Sequence, residues 1–191
     1  MSLSRSRLSL LIAIVALAQT GVLLSMVIER VRLLRIGREI TLPIRPVDPR
    51  DIFRGEYVRL GYDIDTLPFS LLTGPKPADN APFYVVLERG EAGRWRPVAM
   101  SSKQPAEPSA EKIVLKARPL LAWPEVPPAN ATQRAHYGIE AYFVPQGEGR
   151  RLEKLARDKR LEALIAVDSG GNAALKGLFV DGRLEYEEPL F

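Results

Sequence analysis

Between Asp48 and Arg59 the chain sets three carboxylates, Asp48, Asp51 and Glu56, among three guanidinium groups, Arg50, Arg54 and Arg59. Carboxylates grouped this closely can ligate a hard cation such as Ca²⁺. Their spacing is not that of an EF-hand loop, and the interleaved arginines neutralise the field a cation would need. The mixture better suits docking of a polar partner surface, with Tyr57 as an anchor, because Tyr and Arg dominate binding hot spots. Gly55, Leu60 and Tyr62 complete this candidate docking segment. The same residues also have a purely structural account. Asp48 suits a helix N-cap and Pro49 the first helical position. Asp51 helps a helix start, Arg54 suits its C-terminal end, and Gly55 can take the left-handed conformation that stops it. Asp48–Gly55 then reads as one capped helical turn leading into a strand at Tyr57. Tyr57 and Tyr62 have opposite parity, which puts them on opposite faces of that strand.

Other chemistry finds little support. The chain has no cysteine, so thiolate nucleophiles, thiolate metal sites and disulfides are excluded. The single histidine, His136, has no serine beside it in a nucleophile-elbow pattern. Ser25-Met26 superficially resembles the start of a Ser/Lys hydrolase motif, but no Pro-Thr follows it, and Lys103, Lys112 and Lys116 lack the matching context. Gly147-Glu148-Gly149 and Ser169-Gly170-Gly171-Asn172 are turns too short for phosphate loops. Trp95 and Trp123 are expected to fill packing sites. No catalytic residue, cofactor or metal site is assigned.

The elements that carry these residues start with an anchor. Leu8–Ile28 is an uncharged run whose only polar side chains are Ser9, Gln19, Thr20 and Ser25. A helix of about 20 such residues crosses a bilayer. The run continues ten residues beyond the small-residue site Ala16-Leu17-Ala18, as a permanent anchor does and a cleaved signal peptide does not. Residues 1–38 hold six arginines against Glu29, a net +5. The remainder holds 21 basic and 22 acidic residues, a near-neutral body with no footprint for nucleic acid. Residues 1–7 are thus a basic tail, 8–28 a transmembrane helix, 29–40 an arginine-bearing helical stem and 41–191 a β-rich domain. The arginine count favours a cytoplasmic domain, whereas the short basic tail before the apolar run favours export.

Within the domain, Val58, Leu60, Tyr62 and Ile64 alternate with polar positions, predicting one half-buried strand over Glu56–Ile64. Further strands are predicted at Phe83–Glu88, Trp95–Met100, Lys112–Arg118 and Tyr137–Val144, with a Pro-rich loop over 119–130. A short helix is predicted over Glu153–Arg160. Leu161–Val167, Ala173–Val180 and Arg183–Tyr186 form a meander, with Asp181-Gly182 as its tight turn. The expected architecture is one N-terminal transmembrane helix plus a mainly antiparallel, β-rich α+β domain with a short helix.

Gly55-Glu56-Tyr57-Val58-Arg59-Leu60-Gly61-Tyr62 resembles the signature of the GDYXXLXY protein family, with Glu56 where the family name has Asp. The similarity extends through Pro46–Asp51, Tyr137–Pro145 and Gly177–Gly182. The resemblance implies a single-pass bacterial inner-membrane protein with an exported, periplasmic domain and no established molecular function. Neighbouring genes of multi-pass membrane proteins, which the resemblance also implies, point to an accessory subunit. The expected function is therefore a non-enzymatic accessory or interaction subunit of a membrane complex. Its partners are the lipid bilayer and a multi-pass membrane protein. A stand-alone periplasmic ligand-sensing or envelope-binding domain is the alternative, and a serine hydrolase is a third reading.

Overall fold

The computed structural model describes residues 5–45, 57–91, 93–106, 109–126, 128, 130–143 and 147–188, with the backbone alone for 5–8 and 57. It opens with a single helix, α1, Arg5–Ile36, which unites the basic tail, the apolar run and most of the stem. Every side chain from Ser9 to Arg30 on it is exposed. Its stretch Ser9–Ile36 is long and apolar enough to cross a membrane.

The stem does not continue as helix to residue 40. α1 stops at Ile36, and Arg38–Arg45 forms strand β1. The reason is the change of period: Ile40, Leu42 and Ile44 are buried at spacing two, with Thr41 and Pro43 between them. Gly37 alone makes the junction. Its N–H donates to the Leu33 carbonyl at 2.9 Å. A Cβ there would lie 2.5 Å from that same oxygen and 3.1 Å from the Ala166 side chain.

The domain comprises β2 (Tyr57–Arg59), β3 (Gly61–Tyr62), β4 (Thr66–Pro68), β5 (Phe83–Arg89), β6 (Trp95–Ser101), β7 (Lys112–Pro119), β8 (Thr132–His136), β9 (Ala141–Phe143), α2 (Gly149–Arg157), β10 (Leu161–Val167), β11 (Ala173–Val180) and β12 (Arg183–Glu187). One sheet runs β12-β11-β10-β1-β3, a second β4-β8-β7-β5-β6, and β2 pairs with β9 in a two-stranded ribbon. All of these pairings are antiparallel. One core joins them, from Ile40, Leu42 and Ile165 on the first sheet to Phe83, Leu87 and Leu115 on the second, with Leu152 and Leu155 of α2 included. Central strand β10 is buried on both faces. Its small Ala166, with Ala174 of β11, receives Leu33 and Leu34 of α1. The long apolar helix is thereby packed onto the sheet rather than tethered by a loop.

Three local expectations shift. The helix predicted over 153–160 lies at Gly149–Arg157, because Lys159 takes the left-handed conformation (φ 56°) and stops it. The strand predicted over 137–144 is a turn followed by β9, while β8 precedes it. The strand predicted over 56–64 is broken, although its buried alternation at Val58, Leu60, Tyr62 and Ile64 holds.

Candidate functional site

Within twelve residues, Tyr57 to Pro68, the chain visits all three sheets through β2, β3 and β4. β2 lies against β9, with Tyr57 opposite Phe143, Val58 opposite Tyr142 and Arg59 opposite Ala141. Leu60 then donates its N–H to the Glu140 carbonyl at 2.9 Å. Gly61 and Tyr62 cross to β1, opposite Arg45 and Ile44. A 3-10 turn over Asp63–Asp65 delivers the chain to β4, where Thr66 faces Arg134 of β8. A period-two pattern cannot reveal such a crossing, since each short piece keeps the same inward side.

Two tyrosines clasp this crossover to the turn that precedes β9. The Tyr62 hydroxyl donates to the Ile139 carbonyl at 2.8 Å, and the Tyr137 hydroxyl donates to the Ile64 carbonyl at 2.7 Å. Both phenols have pKa values pushed well above their ordinary range, first by burial and then by the carboxylates of Asp65 and Glu140. They therefore remain protonated donors and offer neither a phenolate nucleophile nor a base. Glu140 braces the turn from the other side. Its carboxylate accepts from the Tyr137 N–H, from the Gly138 N–H at 2.9 Å, and lies 3.0 Å from His136 Nδ1. Asp65 accepts the Tyr62 N–H at 2.7 Å through Oδ2, while Oδ1 is buried without a hydrogen-bond partner among the described residues. Burial pushes the Asp65 carboxyl up to about 6, Glu140 adding to the rise while the Tyr62 N–H, Arg45 and Arg134 oppose it. Arg45 closes the outer edge, its Nε 3.1 Å from Asp63 Oδ1 and its guanidinium donating to the Tyr62 carbonyl.

Of the docking segment read from the sequence, Asp48, Arg50, Asp51, Arg54, Gly55 and Glu56 lie outside the described residues, as does the capped turn expected there. Arg59 is exposed. Leu60 and Tyr62 are 2% and 0% exposed, so they hold the segment to the core and present nothing to a partner. Asp65, Tyr137, Glu140 and Arg45 complete the cluster and were not singled out for it from the sequence. The available signal was that Tyr137 and Glu140 fall in the second block of similarity, which the structure pairs directly with the first. His136 is half-exposed and engaged with Glu140. Trp123 is buried, edge-on to Phe83 at 5.1 Å and to Phe69 at 5.7 Å. Arg38 lies over the Trp95 ring at 5.5 Å. Ser25 bonds within α1, its hydroxyl donating to the Val22 carbonyl at 2.8 Å.

The family model described as GDYXXLXY protein matches residues 19–178. The match runs from within α1 to β11 and includes every residue of the tyrosine clasp. No curated protein and no solved structure matches the chain.

Proposed function

The chain belongs to the GDYXXLXY protein family, and from that premise we propose that it is a membrane-anchored, non-enzymatic accessory subunit of a bacterial inner-membrane complex. Its β domain stands on the periplasmic face and its partner is a multi-pass membrane protein. The observation that carries this reading is the junction between anchor and domain. α1 is apolar on all sides, exposes that surface, and enters β1 through Gly37 with no linker. Leu33 and Leu34 fix its last turns to Ala166 and Ala174. A simple tether needs no such rigidity. A subunit that holds a partner both within the bilayer and above it does, because domain and helix must keep one relative orientation. The tyrosine clasp fits the same role. It secures Leu60–Ile64, the chain that directly follows Asp48–Arg59, and Asp48, Arg50, Asp51, Arg54, Glu56 and Tyr57 are the residues we assign to docking a partner loop.

Crosslinking of tagged full-length protein in cells, followed by detergent purification and mass spectrometry, tests the reading. A stoichiometric multi-pass protein is the expected companion. Its loss on combined Arg54→Ala and Tyr57→Ala substitution, with the fold intact, would locate the contact. A protein that purifies alone would overturn the accessory role.

A further inference from the structure

At the foot of α1 lies a cavity of about 1080 Å³, bounded on one side by the last turns of the helix and on the other by β7 and the turn between β10 and β11. We propose that it seats the phosphate headgroup of an anionic phospholipid. The proposal rests on the reading that α1 crosses a membrane.

The helix side is organised for an amphipathic guest. Met26, Glu29, Leu33 and Ile36 fall on one helical stripe facing the cavity, apolar but for the Glu29 carboxylate, and Arg30 and Arg32 flank that stripe on its two sides. Neither arginine makes an ion pair among the described residues. The third guanidinium at the cavity, Arg38, is already committed: it donates to the carbonyls of Lys112 at 2.7 Å, Ser109 at 3.4 Å and Ala110, and covers Trp95. The lining carboxylate of Asp168 is likewise occupied, taking the Asn172 backbone N–H and side-chain amide, each at 2.8 Å. Those amide donors are uncharged, so Asp168 and Glu29 are two negative charges on the lining, against the three guanidinium groups of Arg30, Arg32 and Arg38.

Height along the helix decides the ligand. Ile28 is the last residue of the uncharged run. At about 1.5 Å per residue, Arg30 and Arg32 stand about 3 and 6 Å beyond it. The interfacial layer on each side of the hydrocarbon is about 5–8 Å deep. Both guanidinium groups therefore sit at the level of lipid phosphates, while Met26 remains at acyl-chain depth. A phosphodiester between two arginines, with its glycerol and first methylenes along Met26 and Leu33, satisfies the charge and the apolar stripe together.

The test uses full-length protein in mild detergent, mixed with equimolar phosphatidylglycerol and phosphatidylcholine, and native mass spectrometry. A single phosphatidylglycerol adduct is expected to exceed the phosphatidylcholine adduct about ten- to thirty-fold, as two interfacial arginines provide. Arg30→Gln with Arg32→Gln should abolish that preference. Arg35→Gln removes the same charge from the opposite side of the helix and should preserve it. Equal adducts of the two lipids, or equal loss in the Arg35→Gln protein, would overturn the proposal. Displacement of the lipid by inorganic phosphate would assign the cavity to the free ion and would also overturn it. Alkaline extraction of membranes separates the two readings. Protein released from the membrane refutes the anchor, whereas protein that stays embedded without the lipid preference refutes only the headgroup site.

Discussion

Replacing Tyr62 by Phe removes one oxygen and leaves the ring volume in place. Tyr62 is fully buried, and its hydroxyl supplies the Ile139 carbonyl with a hydrogen bond at 2.8 Å. The variant leaves that carbonyl without the donor, in a site built around residues of the same core. An unsatisfied buried polar group costs about 1–3 kcal/mol. In a domain of this size each kcal/mol lowers Tm by about 2–4 °C, so a fall of about 2–12 °C is expected. Trp123 reports the transition well, because it is 4% exposed and packed edge-on against Phe83 at 5.1 Å. Its fluorescence should move to the red as the domain opens, whereas α1 in detergent contributes only helical signal. Thermal and urea unfolding of the full-length protein carrying Trp95→Phe, so that Trp123 is the sole tryptophan, give the loss. Tyr84→Phe is the control, since Tyr84 is only half-buried on β5 and should change stability by less than about 0.5 kcal/mol. If Tyr62→Phe behaved like Tyr84→Phe, the reasoning that the clasp secures the crossover would be refuted.

Asp65→Asn should stabilise the protein more at pH 8 than at pH 5. The folded-state pKa of Asp65 is raised to about 6 from an ordinary 3.8, so its contribution is fully present below about pH 3.8 and is lost as pH rises through about 6. Asparagine keeps an acceptor for the Tyr62 N–H and carries no charge, and the difference in Tm between the two proteins across that range reads the effect. Gly37→Ala should destabilise by about 1–3 kcal/mol, because the new Cβ would meet the Leu33 carbonyl oxygen at 2.5 Å and that oxygen is backbone that cannot swing aside. Limited proteolysis at the junction should accelerate in step, and unchanged digestion would contradict the rigid joint.

The long apolar helix and the strands were largely legible because their signals are local. An uncharged run of membrane length, a period-two burial pattern and an Asp181-Gly182 turn each declare themselves within a few neighbouring residues. Even Trp123 and the buried side of Leu60 and Tyr62 follow from type and parity. The candidate site was half legible. The blocks around Tyr62 and Tyr137 could each be seen, but nothing in either one states that they pair.

That pairing is what tertiary structure alone decided. Tyr62 reaches a carbonyl 77 positions away, and Tyr137 reaches one 73 positions away. The acceptors are main-chain oxygens of Ile139 and Ile64, and a carbonyl oxygen is the same group on every residue, so it leaves no mark in the sequence. The same holds for the cavity beneath α1. Arg30 and Arg32 read in sequence only as part of an arginine-bearing stem after the apolar run. Only the packing of Leu33 and Leu34 on Ala166 and Ala174 sets them against the domain, because the contact depends on two small side chains lying opposite two large ones across distant parts of the chain.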